Sequence, residues 1–492
     1  MKEDKEIYDL IIIGAGVSST FLCLSIYKIN PSFKILILEK NETFPQKVGE
    51  SLVDLTAVFV DSLDIKHLLK AHTKKTGVRF LFNESNQNDL SGIAEFASPT
   101  LPGLINGYHL DRSIFDQQML DEVVSKGAVV YRPVNIIDTS FRDFENILKI
   151  KTGNVLKIVQ SKWLVDGSGR NRFIANKLNW NFKNIPLKTG AITAHFKNIA
   201  PETTWDTKTN AYWDKNAVGL RKFSTTHLMR KSSWWWIIRL NETTTSIGVV
   251  FDKNKVHFND YENYFIDQIS TDAQLSIITK DASRSKINHV EALPYVCDKL
   301  YSKGIALIGD SGAFIDPLIS PGMELIGQQS IWLAELLTED KSNNKFKANA
   351  WKKYSKTFYK AYSSRLSIYV KAYDFMHSYD IFSAWLKQGN YIYFGWIVFP
   401  SVLFKNRLKE PLTFNLIERI GLKYFTKRFD KIIERRTAQK RISVIGKNEI
   451  TYSSVRVPKN WRFIFVPIHL LFKSLWAYFK LELKELKFLF KP

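Results

Sequence analysis

The segment Gly14-Ala15-Gly16-Val17-Ser18-Ser19 constrains this chain more than any other, because of what stands on either side of it. An apolar run from Tyr8 to Ile13 leads into it, a helical pattern from about Val17 to Ile29 follows, and a second apolar run covers Lys34 to Leu38. Strand, glycine turn, helix and strand make a βαβ unit. Gly14 permits the tight turn, Gly16 lets the backbone approach a pyrophosphate, and the free N–H groups of a starting helix favour negative charge. Ser19 stands where a third glycine usually lets helix and strand close up, and it is small enough to substitute. Glu39, at the end of the second strand and followed by Lys40, is placed to accept hydrogen bonds from ribose hydroxyls. In this setting the turn reads as a dinucleotide site rather than a generic tight turn.

Two later turns have the same character. Ile308-Gly309-Asp310-Ser311-Gly312 is followed by Phe314-Ile315-Asp316-Pro317 and by Ser320-Pro321-Gly322-Met323. A strand ending in Gly-Asp can point a carboxylate at a chain of sugar-like hydroxyls, while the next helix turns its N–H groups toward a phosphate or a ring carbonyl. Asp166-Gly167-Ser168-Gly169-Arg170 follows another apolar run, Trp163-Leu164-Val165.

Together these segments resemble the large flavoprotein family that includes aromatic hydroxylases and flavin-dependent halogenases, over roughly residues 5 to 340. Tyr108-His109-Leu110-Asp111-Arg112 looks like that family's segment with an arginine beside the cofactor, which nominates Arg112. Three features narrow the resemblance to the halogenases. Val48-Gly49-Glu50-Ser51-Leu52 is similar to their GES segment, which runs close to the flavin. Lys74-Lys75-Thr76-Gly77-Val78-Arg79-Phe80 resembles the stretch carrying the halogenase lysine, which corresponds to Lys75. Trp234-Trp235-Trp236-Ile237-Ile238-Arg239 resembles the WxWxIP signature, with Trp234, Trp236 and Ile238 in register.

The resemblance implies an FAD-dependent monooxygenase of halogenase type, supplied with reduced FAD by a separate flavin reductase. Oxygen activated at the flavin oxidises halide to hypohalous acid, which travels to a lysine beside the substrate. A lysine suits that step because an amine can donate a hydrogen bond to the acid or form a haloamine with it, and an apolar channel lowers its pKa. The tryptophans keep substrate away from the flavin. Three positions depart from the family's pattern: Arg239 replaces the signature's proline, Pro321 removes an N–H where halogenases often hold halide with successive amides, and Ile319 stands where the tryptophan-specific enzymes carry glutamate. The last points toward phenol or pyrrole substrates, including those tethered to acidic carrier proteins. An FAD-dependent hydroxylase or dehydrogenase acting on a lipophilic substrate is the alternative on the same scaffold.

The expected fold is α/β: a discontinuous Rossmann-like FAD-binding domain over 1–175 and 300–340, an inserted antiparallel β-sheet substrate domain over 176–299, and a helical, basic region over 341–492. Cys23 and Cys297 follow no metal-ligand spacing. The N-terminal residues lack a secretory pattern, so cytoplasmic residence is expected. Net charge is +22, and Ser401 to Pro492 holds 21 basic against 7 acidic residues, so an acidic partner is expected there, either a membrane surface or a carrier protein. No nucleic-acid motif accompanies the charge. Leu475, Phe479, Leu483 and Leu486 recur at helical spacing, and neither this stretch nor Tyr391 to Phe404 reaches the ~18 apolar residues of a spanning helix.

Overall fold

A computed structural model describes residues 5–83, 93–99, 106–205, 220–343, 345–410, 416–438 and 450–452, and scattered positions between 472 and 485. In chain order, the elements that build the site are β1 (Lys5–Ile13), α1 (Val17–Ile29), β2 (Ile35–Leu38), β3 (Ser51–Leu52), α2 (Asp54–Ser62), β4 (Thr73–Lys74), β5 (Gly77–Phe82), β6 (Ala94–Pro99), β7 (Tyr108–His109), α3 (Arg112–Ser125), β8 (Val129–Tyr131) and β9 (Val155–Asp166). They continue with β10 (Thr189–Lys197), β11 (Thr225–Met229), β12 (Ser233–Arg239), β13 (Thr244–Asp252), β14 (Ile305–Leu307), α4 (Gly322–Ser342), α5 (Ala348–Phe375) and α6 (Tyr379–Ile392).

The first sheet runs β14-β9-β1-β2-β8, parallel throughout this stretch. Its central strands are covered on both faces, which is why β2 reads Ile-Leu-Ile-Leu, entirely buried, instead of alternating. The register matters most for function: Ile13 lies opposite both Leu38 and Asp166, and Asp166 opposite Leu307. Four strands far apart in sequence therefore stop at one edge, and the turns that leave them start side by side.

The second sheet runs β10-β13-β12-β11-β5-β6, antiparallel except for β11 on β5, which are parallel. It thus recruits two strands from before residue 100. Alternation along β12 divides its side chains between two cores: Trp234, Trp236 and Ile238 enter the main core, while Trp235 and Ile237 pack with Phe265, Leu275 and Ile278 on the other face. A third, small sheet has β7 in the middle, flanked by β3 and β4. Helices dominate the described residues after Gly322, with α4 against α1 and α6 against β6.

Candidate active site

The three glycine turns meet. Gly14 has φ +90°, and a Cβ there would stand 2.7 Å from the Gly167 carbonyl oxygen, so no side chain fits. The Gly167 N–H donates to the Ile13 carbonyl at 2.9 Å, and Ser19 Oγ fills the space that a Gly167 side chain would need. Gly309 has φ +62° and lies against Ser18, where a Cβ would come within 2.8 Å of the serine Cβ. The Ser311 hydroxyl and the Ile308 N–H both donate to the Asp166 carbonyl, at 2.6 and 3.0 Å. The Asp166 carboxylate closes its own turn, accepting from Ser168 N–H at 2.9 Å and Ile174 N–H at 2.7 Å.

Around that junction lies a cradle suited to a dinucleotide. Gly16 caps the start of α1, and among the described residues the only atom within 4 Å of a Cβ built there is Lys47 Nζ at 3.7 Å, so they leave the front of the helix open. Val17 and Ser18 open its first turn with N–H groups that have no intrahelical partner, whereas the Ser19 N–H already donates to the Gly16 carbonyl at 2.9 Å. Glu39 is buried and holds the turn from beside, accepting from Ala15 N–H and Asn41 N–H at 2.9 Å each, while Lys40 points to solvent. Arg112, first residue of α3, forms a two-pronged pair with Asp116 at 2.8 and 3.2 Å and donates to the Val48 and Gly49 carbonyls at 3.2 Å. Loss of water pushes the half-buried Asp310 carboxyl above its ordinary range, against the pull of Arg170, Arg112 and Lys47. An open helix start, a carboxylate beside the second strand and a carboxyl facing three cations match the phosphates, ribose and polyol of FAD, so the residues present fit the cofactor.

Beyond the cradle, Asp316 is buried and pushed up to about 6 by burial. It accepts from Leu318 N–H at 3.0 Å, the Tyr373 hydroxyl at 2.8 Å and Thr189 Oγ1 at 3.3 Å. Pro317 follows it into a turn that ends at Ser320, whose φ is +55°. Pro321 caps α4, Gly322 opens that helix with no atom of the described residues within 4 Å of a Cβ built there, and Met323 is buried behind it. The donors at this helix start are accordingly the N–H groups from Gly322 onward. Ile319, 40% exposed, stands at the same turn.

Lys75 is buried, and its Nζ donates to Ser51 Oγ at 3.0 Å. Burial lowers its pKa to about 8 despite Asp54, whose own carboxyl is raised to about 6 by burial. Gly107 makes room for it: its carbonyl accepts from the Lys75 backbone N–H at 3.0 Å, and a Cβ at Gly107 would come 3.2 Å from Lys75 Cδ. Glu50 is buried and bonded to His195 Nε2 at 2.5 Å. Burial opposes the charge on that imidazole, but the carboxylate outweighs it and raises the His195 pKa.

Trp234 and Trp236 both lie in the core with their indole N–H groups satisfied. Trp234 donates to the Tyr373 hydroxyl at 2.9 Å and Trp236 to Ser246 Oγ at 3.1 Å, with Gly248 bare beneath the Trp236 ring. Sequence reasoning misses His195, Asp54, Tyr373 and Thr225, each joined to the site across more than one hundred residues or by an unmarked position. Among the described residues no group of three metal-ligating side chains occurs and no helix is long and apolar enough to cross a membrane.

Residues 82–374 match the sequence pattern of the tryptophan halogenase family. The chain is 27% identical over 368 residues to the 1H-pyrrole-2-carbonyl-(peptidyl-carrier protein) chlorinase of Pseudomonas fluorescens, covering 70% of this chain and 79% of that protein. It is 25% identical to the flavin-dependent halogenase armH1 of Armillaria mellea, over 64% of this chain and 62% of that one. In fold it is similar to the crystal structure of halogenase PltM in complex with phloroglucinol and FAD, with a TM-score of 0.71 at 18% identity, covering 87% of this chain and 86% of PltM. The flavin-dependent brominase Bmp2 superposes with a TM-score of 0.67 at 20% identity, over 86% of this chain and all of that one. Since the family pattern spans more than half of the sequence, the chain belongs to the tryptophan halogenase family and is an FAD-dependent oxidoreductase.

Proposed function

We propose that this protein halogenates an electron-rich phenol or pyrrole, free or tethered to a carrier protein, with Lys75 delivering the halogen. The observation that carries this reading is a buried amine, depressed to about 8, hydrogen-bonded to the serine of the Gly49-Glu50-Ser51 segment. FAD, reduced by a separate reductase, supplies the oxygen activation that turns halide into hypohalous acid. The chain's own residues do the rest. The turns at Gly14, Gly16 and Gly309, with Glu39, Arg112 and Asp310, hold the dinucleotide. Gly322 and Met323 at the start of α4 offer amide donors to an anion. Lys75 gives an N–H to the hypohalous acid or, as the free amine, takes its halogen, and the aromatic carbon that gains halogen loses its proton. Ile319 and the name of the Pseudomonas fluorescens relative, a pyrrole-2-carbonyl carrier chlorinase, support the substrate class.

The test is product mass. Protein with FAD, a flavin reductase, NADH and chloride or bromide is offered phenols and a carrier-tethered pyrrole-2-carbonyl group. Halogenated product that vanishes with Lys75→Met while FAD binding persists is the expected result. Hydroxylated product indifferent to that substitution would establish the hydroxylase instead.

A second reading concerns the C-terminal region. Arg428 forms a two-pronged pair with Glu482 at 2.5 and 2.6 Å, and Arg436 bonds Glu485 at 2.9 Å. These pairs turn the acidic side of the helical residues between 472 and 485 inward. Outward go Phe472, 65% exposed, Leu475, Trp476, 56% exposed, Phe479 and Leu483, beside Lys480, which sits over the Trp476 ring. Leu486 and most of Phe463 to Phe472 lie outside the described residues. Apolar side chains flanked by lysines suit an anionic lipid surface. Sedimentation with vesicles containing phosphatidylglycerol, lost with Trp476→Glu and weaker in salt, is expected; equal sedimentation with neutral vesicles would rule out the charge component.

A further inference from the structure

The small sheet of β3, β7 and β4 places Ser51 opposite His109 and Thr73 opposite the same histidine, so Ser51, His109 and the start of the Lys75 segment converge. Thr225, first residue of β11, completes a chain of polar contacts. Lys75 Nζ lies 3.0 Å from Ser51 Oγ, Ser51 Oγ 3.4 Å from Thr225 Oγ1, Thr225 Oγ1 2.9 Å from His109 Nε2, and His109 Nδ1 3.0 Å from the Arg239 carbonyl oxygen.

The sense of every link follows from its last one. A carbonyl oxygen only accepts, so His109 Nδ1 carries the proton. Burial, aided by the nearby Lys75 charge, lowers the His109 pKa to about 3, so the ring is neutral and Nε2 accepts. Thr225 must then donate to Nε2 and can only accept from Ser51. Ser51, with its proton committed to Thr225, offers Lys75 a lone pair. The serine–threonine step, at 3.4 Å, is the longest of the four.

We propose that Ser51, Thr225 and His109 form a one-way hydrogen-bond chain that fixes Lys75 as a donor toward Ser51 and keeps the serine proton off the amine. A serine hydroxyl free to turn would cover the lone pair that must take the halogen. His109 and Thr225 are thus positioning residues, and this consequence rests on Lys75 being the halogen-handling amine. Among the described residues, Asp54 on α2, His109 on β7 and His227 on β11 are titratable groups that interact with Lys75, and His227, neutral like His109, is bonded to the Arg79 carbonyl.

The donor sense is read directly, without turnover, from two-bond 1H–15N spectra of histidine-labelled protein. The expected result is a neutral His109 protonated at Nδ1 across pH 6 to 8; an Nε2-protonated or cationic ring overturns the proposal. Lysine carrying 13C at Cε reports the Lys75 titration. Thr225→Val frees the serine proton, and the Lys75 pKa is expected to fall further, with kcat for halogenation down about tenfold and the aromatic KM unchanged. Thr225→Ser restores both. An unchanged Lys75 titration in folded Thr225→Val, or no rescue by Thr225→Ser, overturns the chain. Halogenation that survives Lys75→Met would remove the lysine's catalytic role yet leave the tautomer result standing, so the two failures are distinct.

Discussion

At the scale of single residues, Lys75 and Asp54 set the pH behaviour. Burial costs the ammonium more than the aspartate returns, so the lysine's pKa sits near 8. Below that value the amine is protonated and only donates; above it the lone pair appears. Halogenated product per FAD oxidised is therefore expected to rise with pH through about 8 when the halogen passes through the amine, as followed by product mass at fixed flavin turnover. A yield flat from pH 6 to 9 would leave Lys75 only its hydrogen-bonding role. The lysine is legible in the sequence because its neighbours resemble a known stretch. Thr225 and Asp54 are not, since strands of two residues such as β3, β4 and β7 show no periodicity, and the partners they gather come from β11 and α2.

At the scale of elements, the turn between β1 and α1 separates two kinds of glycine. Gly14→Ala forces a left-handed residue against the Gly167 carbonyl and is expected to cost the unliganded protein about 1–3 kcal/mol, read by denaturant unfolding. Gly16→Ala, with φ −71° and open space, should leave unliganded stability within about 0.5 kcal/mol. On the proposed assignment of Gly16 to the pyrophosphate, the cost of this change falls on FAD, with affinity weaker by about tenfold in a fluorescence titration, because the added methyl group would stand in the path of the phosphates. Equal effects of the two changes on folding would refute the division. The turns, and the strands feeding them, are legible because glycine, acid and apolar run are local signals. The parallel pairing of β11 with β5 is not, because more than one hundred residues lie between Phe82 and Thr225 and no turn chemistry announces the join.

At the scale of the molecule, buried acids tie the helices together. Glu324 of α4 accepts from the Tyr393 hydroxyl, and burial raises its carboxyl to about 7, against the pull of Arg365 on α5. Between its ordinary value of 4.5 and about 7 the folded protein keeps a proton that the unfolded chain releases, so rising pH favours unfolding across that window. Glu324→Gln is accordingly expected to raise the melting temperature more at pH 8 than at pH 5, and a shift equal at both pH values would contradict the assignment. The Asp316 carboxylate belongs to the same web: it is held by a tyrosine of α5, and that tyrosine in turn receives the Trp234 indole of the second sheet. This knot makes the late helices poor candidates for trimming or for exchange between relatives. A shortened or chimeric protein that lacks Tyr373 would leave the Asp316 carboxyl and the Trp234 indole without the hydroxyl between them, so engineering of substrate range is better confined to surfaces that leave this tyrosine in place.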